Sequence, residues 1–319
     1  MLLSKMKFRV KTLLLLVIYL ILVSYLIKRT ARETFDVNTN PPSLAILMTV
    51  RNCEKYLPFI FRNLNSLCDA FGPCTIIFAY DNCTDNSAEL LNKYAQQHNN
   101  SNGKVKVIVK EVKNNNSRLR TVRIAKARNA CLEQMEGLKV LPDYFIVVDP
   151  DNINEKPWNV PKIKTIIEKT NAKWDSVSFN TVDYYDVWAL QYGEFMHHCW
   201  GYRSGNRVVD IIRKDILKKL SKLDSEDFLE CYSAFNGFAI YKTEMFKGLR
   251  YDGLYENGKK LYPEDNIKRT NKFLKSLDKD INLDFRENKL LCEHIYYHMT
   301  AMNKRGAKIR ISPQNIFTK

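Results

Sequence analysis

The sequence predicts an α/β fold, a mostly parallel sheet with helices on both faces, and three observations predict it. Apolar runs without polar alternation recur at 44–50, 75–80 and 144–148, as expected of strands covered on both sides. Stretches of helical periodicity separate these runs. The third run stops abruptly at two carboxylates: Phe145 to Val148 lead into Asp149 and Asp151, and Pro150 and Asn152 mark where the chain turns away from the sheet. In open α/β sheets the carboxyl ends of the strands are where ligands bind. Two carboxylates one residue apart suit a hard divalent cation with positions left for phosphate oxygens.

In chain order, a basic tail at 1–11 precedes residues 12–27, which carry no charge and are bracketed by Lys5, Lys7, Arg9 and Lys11 before and Lys28, Arg29 and Arg32 after. The expectation is one N-terminal transmembrane helix. At about 1.5 Å per residue it spans about 24 Å, so its flanking cations snorkel or the bilayer is thin. A cleaved signal peptide is the rival, but the exit into Lys28-Arg29-Thr30-Ala31-Arg32 has no small-residue cleavage site. A stem at 28–43 ends in Asn40-Pro41-Pro42-Ser43, and the catalytic domain is expected over 44–319, with halves at 44–155 and 156–319.

The strand at 44–50 is followed by a helical pattern through Tyr56, Phe59, Ile60, Leu64 and Leu67. After Gly72-Pro73 comes a strand at 75–80, which runs into Asp81-Asn82-Cys83-Thr84-Asp85-Asn86-Ser87. Asp85, Asn86 or Ser87 can cap the next helix, at 88–97. A strand at 104–112 and a helix at 123–135 then lead to the acidic strand. Strand, helix and strand in this alternation imply parallel pairing.

The succession of Leu44 to Asn52, Tyr56-Leu57-Pro58, Tyr80 to Ser87, Arg123-Ile124-Ala125-Lys126-Ala127-Arg128-Asn129 and Val148-Asp149-Pro150-Asp151 resembles the nucleotide-sugar half of a GT-A glycosyltransferase. It is similar in style to the family-2 transferases, with likeness to fungal capsular mannosyltransferases and related viral enzymes. The resemblance covers roughly 44–300. It implies that Asp81, with Asp85 beside it, contacts the nucleoside, that Arg123 and Arg128 serve the diphosphate, and that Asp149 and Asp151 hold Mn²⁺ or Mg²⁺ against it. Elementary chemistry agrees: a carboxylate accepts ribose hydroxyls, arginine forks grip a diphosphate, and a metal neutralises the leaving phosphate. Each segment also has a plain structural reading, as a capped polar loop or a solvated helix face.

In the second half, Asp183 to Leu190 and Phe195 to Tyr202 interleave aromatics with Asp and His, as a sugar-binding surface requires. Tyr185, Asp186 and Trp188 are the candidate acceptor contacts. Cys231 to Lys242, followed by Tyr262-Pro263-Glu264-Asp265-Asn266, resembles the second family signature. By that resemblance Asp265, with Glu264 its neighbour, is the general base that removes the acceptor proton. The same residues read equally as a helix start. In Cys292-Glu293-His294-Ile295-Tyr296-Tyr297-His298, the resemblance makes His294 a third metal ligand, with His298 as the alternative. The processive synthases' Gln/Arg-x-x-Arg-Trp signature does not follow Asp265, and whether configuration is inverted or retained stays open.

The composition, 45% hydrophobic and 27% charged, is that of a globular protein. The net charge of +15 fits a phosphate-bearing partner such as a sugar nucleotide, an anionic lipid headgroup or nucleic acid. No nucleic-acid motif is present, so nucleic acid is not expected. The eight cysteines contain no Cys-x-x-Cys pair, which argues against a zinc ribbon, and some could pair in a secretory lumen. Asn82, Asn99 and Asn115 begin possible glycosylation sequons. The resulting expectation is a single-pass type II membrane protein of the Golgi or ER with a luminal catalytic domain. It would move a hexose, mannose among the candidates, from a nucleoside-diphosphate sugar to a glycan, glycoprotein or glycolipid. Nucleotidyl transfer onto a sugar phosphate and a lectin-like protein without turnover are the alternatives. The first is disfavoured by the lack of a Gly-rich loop after the first strand.

Overall fold

The computed structural model describes residues 41–100, 103–286 and 289–318. The basic tail, the expected anchor at 12–27 and the stem up to residue 40 lie outside the described residues. Among the described residues no helix is long and apolar enough to cross a membrane. Residues 42–319 form one unit.

The first half alternates as expected: β1 (Leu44–Val50), α1 (Leu57–Ala70), β2 (Cys74–Tyr80), α2 (Ser87–Asn99), β3 (Val105–Glu111), α3 (Arg120–Glu136) and β4 (Tyr144–Val148). The second half supplies α4 (Val160–Thr170), β5 (Ser176–Phe179), α5 (Gly205–Leu220), β6 (Leu229–Cys231) and β7 (Phe238–Lys242). It closes with α6 (Thr243–Phe246), α7 (Tyr255–Gly258), α8 (Asn266–Leu277), α9 (Glu293–Arg305) and β8 (Ile309–Ser312). One eight-stranded sheet runs β3-β2-β1-β4-β7-β5-β8-β6. Strands β3, β2, β1 and β4 are parallel, whereas β7 lies antiparallel between β4 and β5. The sheet is therefore mixed rather than mostly parallel, because β7 follows β6 through the short connection at 232–237 instead of a crossover helix.

Alternation along the strands divides the core between the two faces. Leu44, Ile46 and Met48 point to the face covered by Ile60, Leu64 and Leu67 of α1 and by Ile163, Ile166 and Ile167 of α4. Ala45 and Leu47 point to the other, against Ala125, Leu132 and Met135 of α3 and Ile295 of α9. Each fully buried leucine or isoleucine contributes about 1.5–3 kcal/mol, which is why the spacing of these residues fixes the helices' inward faces. Cys68 near the end of α1 is disulfide-bonded to Cys74 at the start of β2, with Cα atoms 5.6 Å apart.

Register gathers the functional ends on one edge. Val50 pairs with Tyr80 and Met48 with Val148, so the residues that follow β1, β2 and β4 emerge together. Because β7 is antiparallel, its first residue, Phe238, pairs with Val148, which sets Asn236 and Gly237 beside Asp149.

Candidate active site

A cleft of about 630 Å³ opens along that edge, lined by Arg51, Asp81, Arg123, Arg128, Asp149 and Asp151, among others. It is the size of a small-molecule site. Its floor is the loop after β4, tied down by backbone and amide contacts. The Asp149 amide donates to the Gly237 carbonyl at 3.0 Å, and Asn154 Nδ2 donates to both the Asp149 and Gly237 carbonyls at 2.9 Å. Gly237 has φ +82°, and a Cβ there would come within 2.9 Å of the Tyr185 hydroxyl, so this position requires glycine.

Asp149 is held from both sides. Arg128 Nη2 donates to its Oδ1 at 2.9 Å, and the Tyr185 hydroxyl donates to its Oδ2 at 3.2 Å. Arg128 is itself buried, donates through Nε to Glu293 Oε1 at 2.9 Å, and lies 4.8 Å from the centroid of the Phe235 ring. Burial opposes its charge, but Asp149 and Glu293 hold the guanidinium well above its ordinary pKa. Its Nη1 is buried without a protein partner among the described residues, a donor that an anionic ligand would satisfy.

Asp151 keeps one oxygen on the backbone, accepting from the Ile153 amide at 3.0 Å. Burial, and after it the neighbouring Asp149, push its carboxyl up to about 6. A second positive charge at this pair would remove that penalty, so the two carboxylates fit a divalent cation. His294 also lines the cleft, stacked on Phe235 at 3.8 Å, with both ring nitrogens buried and without a hydrogen bond among the described residues and with Nε2 3.7 Å from Glu293 Oε1. Burial, with Arg128 and His298, pushes its pKa well below the ordinary histidine value, which leaves the neutral imidazole a ligand needs. Among the described residues, however, no three such side chains are already grouped as a metal cluster. Asp149 spends its oxygens on Arg128 and Tyr185. His298 is occupied: Ser233 Oγ meets its Nδ1 at 2.9 Å and the Tyr241 hydroxyl its Nε2 at 3.0 Å. It is a core residue.

At the end of β2, Asp81 is buried and accepts from Asn115 Nδ2, whose amide also donates to the Arg123 carbonyl at 3.0 Å. Arg123 lines the cleft with its Nη1 directed to the Ser117 carbonyl. Asp85 does not line it. Its carboxylate accepts from the Ser87 amide at 3.0 Å and the Glu54 amide at 3.1 Å, which starts α2 and ties the loop to β1. The Asn115 sequon is buried at 2% exposure and so is closed to glycosylation.

Of the acceptor candidates, Asp186 and Trp188 line the cleft as expected. Tyr185 does too, but with its hydroxyl committed to Asp149 it positions the acidic loop. The Asp186 carboxyl is pushed up to about 7, chiefly by burial and further by Asp149 and Glu293, against the opposing hydrogen bond from the Ala189 amide. Glu264 and Asp265 are not brought in. Both are exposed just before α8, and only the Asp265 carbonyl is used, by the Arg269 amide. The cleft residues absent from the sequence-based set include Glu293, Arg120, Trp200 and Arg213, while Asn115 and Gly237, also absent from it, hold Asp81 and Asp149 from behind. A Glu before His294 and a Gly before β7 were visible in the sequence, but their partners were not.

The chain belongs to glycosyl transferase family 2, whose family model matches residues 45–248, more than half of its length, from within β1 to beyond β7. No curated protein matches the sequence significantly. Among solved structures, Staphylococcus aureus TarS (residues 1–349) overlaps with a TM-score of 0.41 at 12% identity, over 86% of this chain and 59% of its own. The Pyrobaculum calidifontis mannosyltransferase PcManGT, in complex with GDP-Man and Mn²⁺, gives 0.36 at 13% identity, over 73% and 55%. Mycobacterium tuberculosis glucosyl-3-phosphoglycerate synthase, with Mn²⁺, UDP and glucosyl-3-phosphoglycerate, gives 0.37 at 15%, over 65% and 59%. The chain thus spans less than two thirds of the length of these proteins, and the overlaps carry no residue assignments.

Proposed function

We propose that this chain transfers a sugar from a nucleoside-diphosphate sugar to a hydroxyl of a glycan, glycoprotein or glycolipid, with Mn²⁺ or Mg²⁺ held by Asp149 and Asp151. The observation that carries the reading is the acidic pair at the end of β4, fixed by Arg128 and Tyr185 in a cleft of about 630 Å³. Family membership supports it. Asp81 faces the nucleoside end and accepts hydroxyl protons in hydrogen bonds, while Arg123 and Arg128 place positive charge along the diphosphate. A bound divalent cation would supply charge neutralisation for the leaving diphosphate. His294, neutral and without a hydrogen bond among the described residues, would be available to the same ion.

In this reading Asp186 takes the base role that the family resemblance implies for Asp265. It lies in the cleft beside Trp188, and its carboxyl, pushed up to about 7, is matched to accepting a proton from an attacking hydroxyl near neutral pH. The Cys68–Cys74 disulfide supports the oxidising lumen of the Golgi or ER as the compartment. The test is calorimetric titration of the full chain with UDP- and GDP-sugars, with Mn²⁺ or with chelator. Metal-dependent binding of one donor, lost in Asp151→Asn, is the expected result. A folded protein that binds no donor in either condition would overturn the reading.

A further inference from the structure

The cleft has a second wall whose charge the donor does not explain. Arg128 is committed to Asp149 and Glu293, and Arg123 to the Ser117 carbonyl. Arg120 and Arg213 are different. Arg120 opens α3 in the cleft lining with its guanidinium 6.0 Å from the centre of the Trp188 ring, and no carboxylate pairs with it among the described residues. Arg213, on α5, donates through Nε to the Tyr184 carbonyl at 3.4 Å and through Nη1 to the exposed Asp210 at 3.2 Å. Its Nη2 has no protein partner among the described residues. Trp188 and Trp200 line the cleft with them. The indole nitrogen of Trp188 is shut off from solvent and has no hydrogen-bond partner among the described residues.

Two arginines beside two indoles form a recognisable chemical combination. Indole faces suit the apolar face of a sugar or polyol, and guanidinium forks suit a phosphate or carboxylate. The wall adjoins Asp186, so an acceptor lying on it would present a hydroxyl near that carboxylate. An anion there would be repelled by Asp186 unless cations stood next to it, and Arg120 and Arg213 provide them. We propose that this wall is an acceptor subsite for a sugar or polyol bearing an anionic group, a phosphate or a carboxylate, gripped by Arg120 and Arg213 with its carbon skeleton against Trp188 and Trp200. The proposal rests on the glycosyltransferase reading.

The experiment titrates the full chain with glucose, glucose 6-phosphate and glucuronate, followed by saturation-transfer NMR and tryptophan fluorescence. The same preparations are titrated with UDP and GDP in Mn²⁺. At least one anionic sugar is expected to bind at least about tenfold more tightly than glucose, the scale of one charge-assisted contact. Preference for glucose 6-phosphate identifies phosphate as the group, and preference for glucuronate identifies carboxylate. Arg120→Gln and Arg213→Gln should each weaken the anionic sugar about tenfold and leave UDP and GDP unchanged. Equal binding of all three sugars, or arginine variants that lose UDP and GDP instead, would overturn the proposal. Failure of the donor reading has a separate signature, in which no nucleotide binds to the unmodified chain.

Discussion

Replacing Arg128 tests the electrostatics of the whole site. Its guanidinium is 6% exposed and meets Glu293 (6% exposed) and Asp149 (24% exposed) at 2.9 Å each. Arg128→Gln keeps some hydrogen bonding but strands two carboxylates in low dielectric. Removing one partner of a buried ion pair costs about 3–5 kcal/mol, and Asp149, a quarter open to water, recovers part of its hydration, so about 4 kcal/mol is expected at pH 8. Glu293→Gln should cost less, about 2 kcal/mol, because Arg128 keeps Asp149 and an uncharged acceptor remains. In the Arg128→Gln variant, a stranded acid holds its proton more tightly folded than unfolded. The penalty is therefore absent at pH values where both states are protonated and complete once pH has risen past the folded-state titration. The loss should accordingly shrink between pH 8 and pH 5. Urea unfolding of the full chain, followed by tryptophan fluorescence at both pH values, measures it. A loss below about 1 kcal/mol, or the same loss at both pH values, would refute the argument that Arg128 neutralises this acidic floor.

Mn²⁺ is expected to raise the melting temperature of the unmodified chain, and Asp151→Asn should abolish that rise. Because burial and Asp149 raise the Asp151 carboxyl to about 6, the metal-free folded protein loses stability as pH climbs from the unfolded value to that point. The advantage of the variant over the unmodified chain should therefore grow by about 2 kcal/mol between pH 4 and pH 7, and a flat difference across that range would count against it. Tyr185→Phe deletes the 3.2 Å bond to Asp149 and should lower turnover about tenfold with stability changed by no more than about 1 kcal/mol. Gly237→Ala should do more harm, since the new methyl lies 2.9 Å from that hydroxyl and 3.0 Å from Ile153 Cγ2 at a positive φ; full activity in this variant would show that the acidic loop does not depend on the close approach. Opening the disulfide with Cys68→Ser should cost about 2 kcal/mol in urea unfolding, the amount expected for so short a loop.

How much of this was legible in the sequence depends on the range over which each contact acts. Strands β1 and β4 began and ended where the apolar runs did, because a strand buried on both faces writes its limits as consecutive hydrophobic residues. Asp81, Asp149 and Asp151 were found for the same reason, each directly following such a run. Helix α3 starts at Arg120 rather than Arg123, and its first turn has no acidic residue or capping side chain to announce it. The early start carries Arg120 into the cleft lining. The Arg128–Glu293 bond spans 165 residues, and nothing local in Cys292-Glu293-His294 distinguishes a buried counter-ion from a helix-start acid.

Asp265 illustrates the converse case. Pro263-Glu264-Asp265 matches a signature whose meaning depends on where its helix is docked, and docking is not a local property. Here α8 is held by Thr270, whose hydroxyl accepts from the Met196 and His197 amides, and by Arg269, which pairs with Glu194 at 2.7 Å. Tyr262, just before the acids, has its hydroxyl against Gln191 Nε2 at 2.6 Å. These contacts fix the face of α8 against the 191–197 segment and leave Glu264 and Asp265 in solvent. The loop that precedes that segment carries Tyr185, Asp186 and Trp188 into the cleft instead. A carboxylate beside the acidic floor therefore comes from the loop after β5, and the base proposed above is to be sought where the chain turns back over the acidic edge rather than at the helix that the motif marks.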